Sequence, residues 1–465
     1  METDTQPETP QQTPQVKDLL SIEIFVVLGL VFTVLIGLSL ISVFGQTGFR
    51  AEPSMMVEES SARTALLQEG LVSYGAEASP KQAALLRKST TKSYDSIIED
   101  IAKKDNNKET HKLMVGLSLA AGKPAPLKDL NVPATAPPEV LAALKLAADD
   151  KNPGTVESVA AWKPKAPIDR MLRLGALRHA GAENRIGQLV EPGSVLAFGT
   201  VAGIAGLVFA CGGVVVLLVL VNWGKFKASM RGFACGPVSN VMASELALRA
   251  TVFLLLYVGS SLPFALIPAL KGLPEVSSTL LRGATILAVA LFSAGVPLFG
   301  RGGLGRIWGK VPTAEGIKVA LAGLCANAPV LALTLPLVLL LSKVLPAPTH
   351  PINAELAKGT GIWETVAILV VGSIFAPMAE ETVFRGMLFP AFSKLTGSVV
   401  WGGLLQGFCF AAIHPQGPAA WISLMSIGCM CAVITYRAGC QWPSMVVHGL
   451  HNGIILLLNV TLNNL

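Results

Sequence analysis

Two adjacent carboxylates, Glu380 and Glu381, and an arginine, Arg385, interrupt an otherwise apolar stretch, APMAEETVFRGML, from Ala376 to Leu388. An ionised side chain at the centre of a membrane helix costs about 2.5–3.5 kcal/mol on insertion scales. Three within one short stretch therefore demand compensation. Glu381 and Arg385 are spaced i,i+4, so they can pair on one helix face. Glu380 is turned about 100° from Glu381 and cannot comfortably share that pairing. It needs a partner on another helix.

Two later stretches offer partners. FCFAAIHP places Phe410 and His414 at i,i+4, just before Pro415. VVHGLHNGIILLL places His448 and Asn452 at i,i+4, with His451 between them. The other histidines, His111, His179 and His350, lie in polar segments. Three polar clusters on three apolar helices can meet only inside a bundle or around a water-filled cavity. The chemistry they suit is water activation. A carboxylate held away from bulk water is a competent general base. A neutral imidazole can share that water or bind a metal, and a second histidine with an asparagine amide can face a developing oxyanion. No serine or cysteine sits in a G-x-S-x-G elbow, and H-E-x-x-H is absent, so neither a serine or cysteine nucleophile nor a zincin-type zinc site is indicated.

The elements that must carry these residues are membrane helices. Of the 465 residues 52% are hydrophobic and 14% charged, with a mean hydropathy of +0.57; soluble proteins carry about 25% charged residues. Residues 1–20 read as a disordered tail, and 21–45 as a retained transmembrane anchor rather than a cleaved signal. Residues 46–194 hold more than half of the lysines and arginines and read as a soluble, mostly helical region. From 195 to 465 the chain is a multi-helix membrane domain, with candidate spans at 196–222, 246–270, 281–299, 317–344, 362–388, 398–413, 418–436 and 442–461. The expected fold is thus all-α: a polytopic bundle of one anchor and about eight core helices, with an inserted soluble helical region. On these boundaries Glu380 lies past the middle of its span and His414 near the end of a short one. Convergence requires a broken helix, or a Glu380 helix that continues to about Lys394. Gly199/Gly203 and Gly402/Gly403 are expected to mark close helix contacts.

The motifs E-E-x-x-x-R (Glu380, Glu381, Arg385), F-x-x-x-H (Phe410, His414) and H-x-x-x-N (His448, Asn452) occur in this order on separate helices. Together they resemble the CPBP family, the CAAX prenyl protease and bacteriocin-processing intramembrane proteases also called Abi or type II CAAX proteases. The resemblance spans about 363–458, and no counterpart to 46–194 is evident. It implies that Glu380 is the catalytic carboxylate, that His414 helps activate water, and that His448 and Asn452 stabilise the intermediate. Glu381, Arg385 and Phe410 would support the site. It also implies an intramembrane endopeptidase, labelled a metalloprotease, acting on membrane-associated, CAAX-type substrates. Glu380, His414 and His448 could supply three ligands to a divalent metal such as zinc, or run a metal-free hydrolysis.

The other features bound this reading. Basic residues do not cluster with aromatics, so no nucleic-acid surface is expected. Lys225, Lys227 and Arg231, then Arg301, Arg306 and Lys310, then Lys394 and Arg437 alternate along the chain so as to share one side of a membrane, taken as the cytoplasmic side of the plasma membrane. The seven cysteines form no C-x-x-C pair and read as small buried apolar residues. The rival functions are a proton-coupled transporter, against which the lack of an obvious inverted repeat counts, and a non-catalytic membrane scaffold.

Overall fold

A computed structural model of the chain describes residues 21–47, 61–70, 72, 80–102, 108–126, 136–149, 152–164, 166–186, 192–295, 303–341, 345 and 361–463. The expected 1–20 tail and Arg301 lie outside these residues. The described chain is helical and has no strands; Gly309 and Cys440 form one isolated antiparallel bridge. Among the described residues, eight helices are long and apolar enough to cross a membrane, and a ninth, Val399–Ala412, is shorter. The described residues fall into two compact units.

The first unit contains α1 (Ile22–Thr47) and the helices between Val208 and Gly453. In chain order these include α2 (Pro192–Val221), which enters the unit at Val208, α3 (Asn240–Ser260), α4 (Glu275–Gly295) and α5 (Thr313–Leu341). They are followed by α6 (Ile362–Thr396), α7 (Val399–Ala412), α8 (Trp421–Ala438) and α9 (Trp442–Asn463). Its main core joins Phe25, Leu28 and Phe32 of α1 to Leu246 and Phe253 of α3, Phe384 and Met387 of α6, and Phe410 of α7. The anchor helix is therefore built into the core. Phe25 meets Phe392 with ring centroids 6.5 Å apart.

α6 runs past the expected end at 388 to Thr396, where Gly397 at φ +66° terminates it. This is the longer helix that convergence of the polar clusters requires. It is not a uniform α-helix. Val371–Phe375 and Glu381–Leu388 are π-helical. Each precedes a proline, Pro377 and Pro390. Proline has no N–H for the carbonyl four residues back, and its ring crowds that carbonyl. A widened turn just before it relieves both problems. Ser398 then caps α7 by accepting from the Trp401 N–H.

Gly402 packs as expected: a Cβ there would lie 2.5 Å from the Ser393 backbone nitrogen. Gly199 and Gly203 do not, since a Cβ on either would meet no atom within 4 Å. The i,i+4 glycine spacing needs a facing helix to have meaning, and among the described residues none approaches here. Arg231 and Arg437 both pair with Glu315, and Arg231 and Lys394 border one cavity, so these basic residues share one end of the bundle. All seven cysteines are free thiols. Burial pushes the thiols of Cys235 and Cys440, which lie between spans, up to about 11.

The second unit is formed mainly by helices within 46–207. Two apolar clusters hold it together, one around Leu146, Leu172 and Leu177, the other around Leu66, Leu113 and Met171. Its buried polar centre is Glu69, bonded to Arg178 at 2.8 Å and accepting from the Tyr94 hydroxyl at 2.8 Å. Burial alone would raise the Glu69 carboxyl. The Arg178 guanidinium overrides that effect and holds it below the ordinary carboxylate range.

Candidate active site

Glu380 ends an α-helical turn and Glu381 begins a π-helical one, and adjacent helix positions point about 100° apart. Glu381 turns into the protein and pairs with Arg385 at 2.9 Å, with both side chains fully buried. Glu380 remains about a quarter exposed and faces two imidazoles. Its Oε1 is 4.0 Å from His414 Nε2, and its Oε2 is 3.5 Å from His448 Nε2. The cross-helix partner that the sequence demanded for Glu380 is thus two histidines on two helices, α7 and α9.

Each histidine has its other nitrogen occupied. His448 Nδ1 lies 2.8 Å from Glu381 Oε1. Glu381 already faces a guanidinium, so it serves as the acceptor, and the Nδ1 carries the proton. His414 Nδ1 lies 2.5 Å from the Phe410 carbonyl oxygen, which can only accept, so this nitrogen also carries its proton. Both rings then turn Nε2 toward Glu380. Glu381 thereby does more than neutralise Arg385: it orients His448.

Phe410 explains its own place in the motif. Its ring centroid lies 4.5 Å from that of His414 and 5.8 Å from that of His448. The Arg385 guanidinium sits 4.7 Å from the same ring. One fully buried side chain thus sets the positions of both histidines and the arginine. Arg385 Nη2 and Gln406 Nε2 both donate to the Gly428 carbonyl, at 3.3 and 2.9 Å.

Asn452 lies one turn beyond His448 on α9, and one of its amide hydrogens is engaged. Its Nδ2 donates to the Gly372 carbonyl at 2.9 Å, a carbonyl inside the first π-helical turn of α6. His451 points elsewhere, with its Nδ1 3.4 Å from Asn327 Nδ2 on α5. The motifs gave no hint of Ser39. Its hydroxyl, on α1, donates to the His414 carbonyl at 3.1 Å. A serine on an apolar helix 375 residues earlier carries no local signal of that contact.

In type, the donors around Glu380 suit a divalent ion: a carboxylate and two imidazoles with Nε2 available and Nδ1 held, as at metal centres. In spacing they fit less well. The two imidazoles take opposite oxygens of Glu380. Among the described residues, the trio with all donor atoms within 4.8 Å of one another is instead Glu381, Cys431 and His448. That trio has Arg385 bonded to its carboxylate, a fixed cation where a second cation would have to sit.

Fold and site together define a polytopic helical membrane protein with a buried, partly accessible carboxylate–histidine centre. Residues 362–454 match the family model of the type II CAAX prenyl endopeptidases, Rce1-like. This fifth of the chain, which carries all three motifs, is similar to that family, and the protein is an integral multi-pass membrane protein. A 114-residue segment, 24% of the chain, is 30% identical to an uncharacterized 24.3 kDa protein of Escherichia coli, and it spans about half of that protein, 52%. No solved structure matches the chain.

Proposed function

We propose that the protein is an intramembrane endopeptidase that hydrolyses a peptide bond of a membrane-associated substrate, with water activated between Glu380 and His414. One observation carries the reading: Glu380 is accessible and turns its two oxygens to two tautomer-fixed imidazoles on other helices. A water in the gap between Glu380 Oε1 and His414 Nε2 can donate one proton to each. Its lone pair is then left for a carbonyl carbon.

As that oxygen attacks, its proton passes to Glu380, and the carbonyl π electrons move onto oxygen. The second amide hydrogen of Asn452 is a donor available to the resulting oxyanion, and His448 becomes a second one in a form that has gained a proton at Nε2 while Glu381 holds its Nδ1–H. Collapse of the tetrahedral intermediate breaks the C–N bond, and Glu380 returns its proton to the leaving amine. The family match makes a CAAX-type, prenylated C-terminus the substrate class of choice, and the basic loops fit a plasma-membrane protein with this end toward the cytoplasm.

The test uses full-length protein in vesicles with a farnesylated C-terminal peptide and its unprenylated twin. Mass spectrometry should find one internal cleavage of the farnesylated peptide, lost in Glu380→Gln. Inactivity of a folded wild-type protein on both peptides would remove the substrate reading.

A second reading has its own support in the two free Nε2 atoms. A divalent ion such as zinc would take Glu380, His414 and His448, and would supply a polarised water. Activity abolished by a chelator and restored by zinc would select this reading; activity indifferent to chelation would select the first.

A further inference from the structure

No residue of α8 belongs to the three motifs, yet α8 backs the site. Its Gly428 carbonyl accepts from Arg385 Nη2 at 3.3 Å. Cys431 follows on the same face of the helix, and its side chain is fully buried. The Cys431 sulfur lies within 4.8 Å of a Glu381 carboxylate oxygen and of a His448 ring nitrogen.

Glu381 is loaded unevenly. Arg385 Nη1 lies 2.9 Å from its Oε1, and His448 Nδ1 lies 2.8 Å from the same atom. The other oxygen, Oε2, is buried and has no hydrogen-bond partner. Buried polar atoms are normally satisfied, and a charged one left without a donor is costly. The Ser444 hydroxyl is also beside Glu381. Its hydrogen goes to the Gln441 carbonyl at 2.8 Å, and its oxygen accepts from Thr435 at 2.9 Å. A hydroxyl has one hydrogen to give, so this one is spent. The Cys431 S–H is a donor within reach.

We propose that Cys431 is a positioning residue for the hydrolytic centre: its S–H donates to Glu381 Oε2 and so holds Oε1 toward His448. The role in catalysis rests on the endopeptidase reading above. A carboxylate turns about the bond that carries it, and a donor at each oxygen stops that turn. His448 Nδ1 then keeps its acceptor, and Nε2 stays aimed at Glu380. The thiol keeps its proton throughout and forms no covalent bond.

The experiment joins infrared spectroscopy to kinetics on the full-length protein in vesicles. The S–H stretch absorbs in a window clear of other protein groups, and it falls in frequency when the thiol donates. Subtracting the spectrum of Cys431→Ala isolates this thiol among the seven; if Cys431→Ala does not fold, Cys431→Ser serves for the subtraction. The band should rise in frequency when Glu381→Gln removes the charge of the acceptor.

On the farnesylated peptide, Cys431→Ala should lower kcat about tenfold with KM within about twofold of wild type. Cys431→Ser keeps a donor and should restore most of kcat. Cys211→Ala, on an exposed thiol of α2, should change neither constant. A residue that only fills space would give the opposite order, because a hydroxyl in apolar packing is costlier than a methyl. A band that Glu381→Gln does not move, or Cys431→Ser no more active than Cys431→Ala, would overturn the proposal. A band that does move, in a folded wild-type protein that cleaves no peptide, would contradict the endopeptidase reading and leave the Cys431–Glu381 bond standing.

Discussion

His448 donates to Glu381 at 2.8 Å while its other nitrogen faces Glu380, so a single ring is held between neighbouring carboxylates of one helix. Glu381 in turn is paired with Arg385. Removing one partner of a buried ion pair leaves an uncompensated charge and costs about 3–5 kcal/mol. Arg385→Met should therefore lower Tm sharply. Glu381→Gln combined with Arg385→Met should recover part of that loss in a thermal-unfolding double-mutant cycle. Additive losses would mean that the two side chains are not coupled.

Phe410 touches both histidines and the arginine, so its removal should damage more than the core. Truncation of a buried phenylalanine costs about 3–5 kcal/mol. Phe410→Leu keeps most of the volume and loses the flat ring against His414. That variant should insert and fold, with kcat reduced at least tenfold and KM little changed. Unaltered kcat would show that the ring only fills space.

Ser39 ties the first helix to the His414 carbonyl. A hydrogen bond of this kind contributes about 1 kcal/mol. Ser39→Ala should lower kcat severalfold with KM unchanged, and Ser39→Thr, which keeps the hydroxyl, should restore it. Equal activity of all three forms would confine α1 to anchoring and packing.

In the other unit, Glu69 gives a pH dependence of known sign. Its folded carboxyl lies below the ordinary range because Arg178 is beside it, against the opposing effect of burial. The stability it contributes is present above the unfolded carboxylate value, about 4.3, and is lost as pH falls through the lower folded value. Hydrogen exchange in the helices between 61 and 179 should therefore accelerate on acidification through that window. Glu69→Gln should remove the transition, and its persistence would assign it to another group.

Much of the centre was legible because polar residues in apolar helices carry a large penalty and so are present for a reason. The Glu381–Arg385 pair followed from helix geometry, and the need of Glu380 for a partner on another helix followed from the same geometry. What was not legible depends on contacts between distant helices. The π-helical turns before Pro377 and Pro390, and the Gly372 carbonyl that engages Asn452, arise from backbone register in the folded bundle. His451 lies three residues from His448, yet faces Asn327, because the side-chain direction of a helix position is known only once its neighbours are placed. The Gly199/Gly203 spacing suggested a close contact and found none, since a glycine pattern names no partner.

The central claim is that Glu380 carries hydrolysis of membrane-associated peptides. It is tested most directly by comparing the membrane-proteome termini of cells that carry wild-type protein or Glu380→Gln, at equal levels of protein. The account predicts a defined set of new termini, present with wild type and absent with Glu380→Gln, whose positions also report the substrate and the side of cleavage. Identical termini in the two cell lines would contradict it.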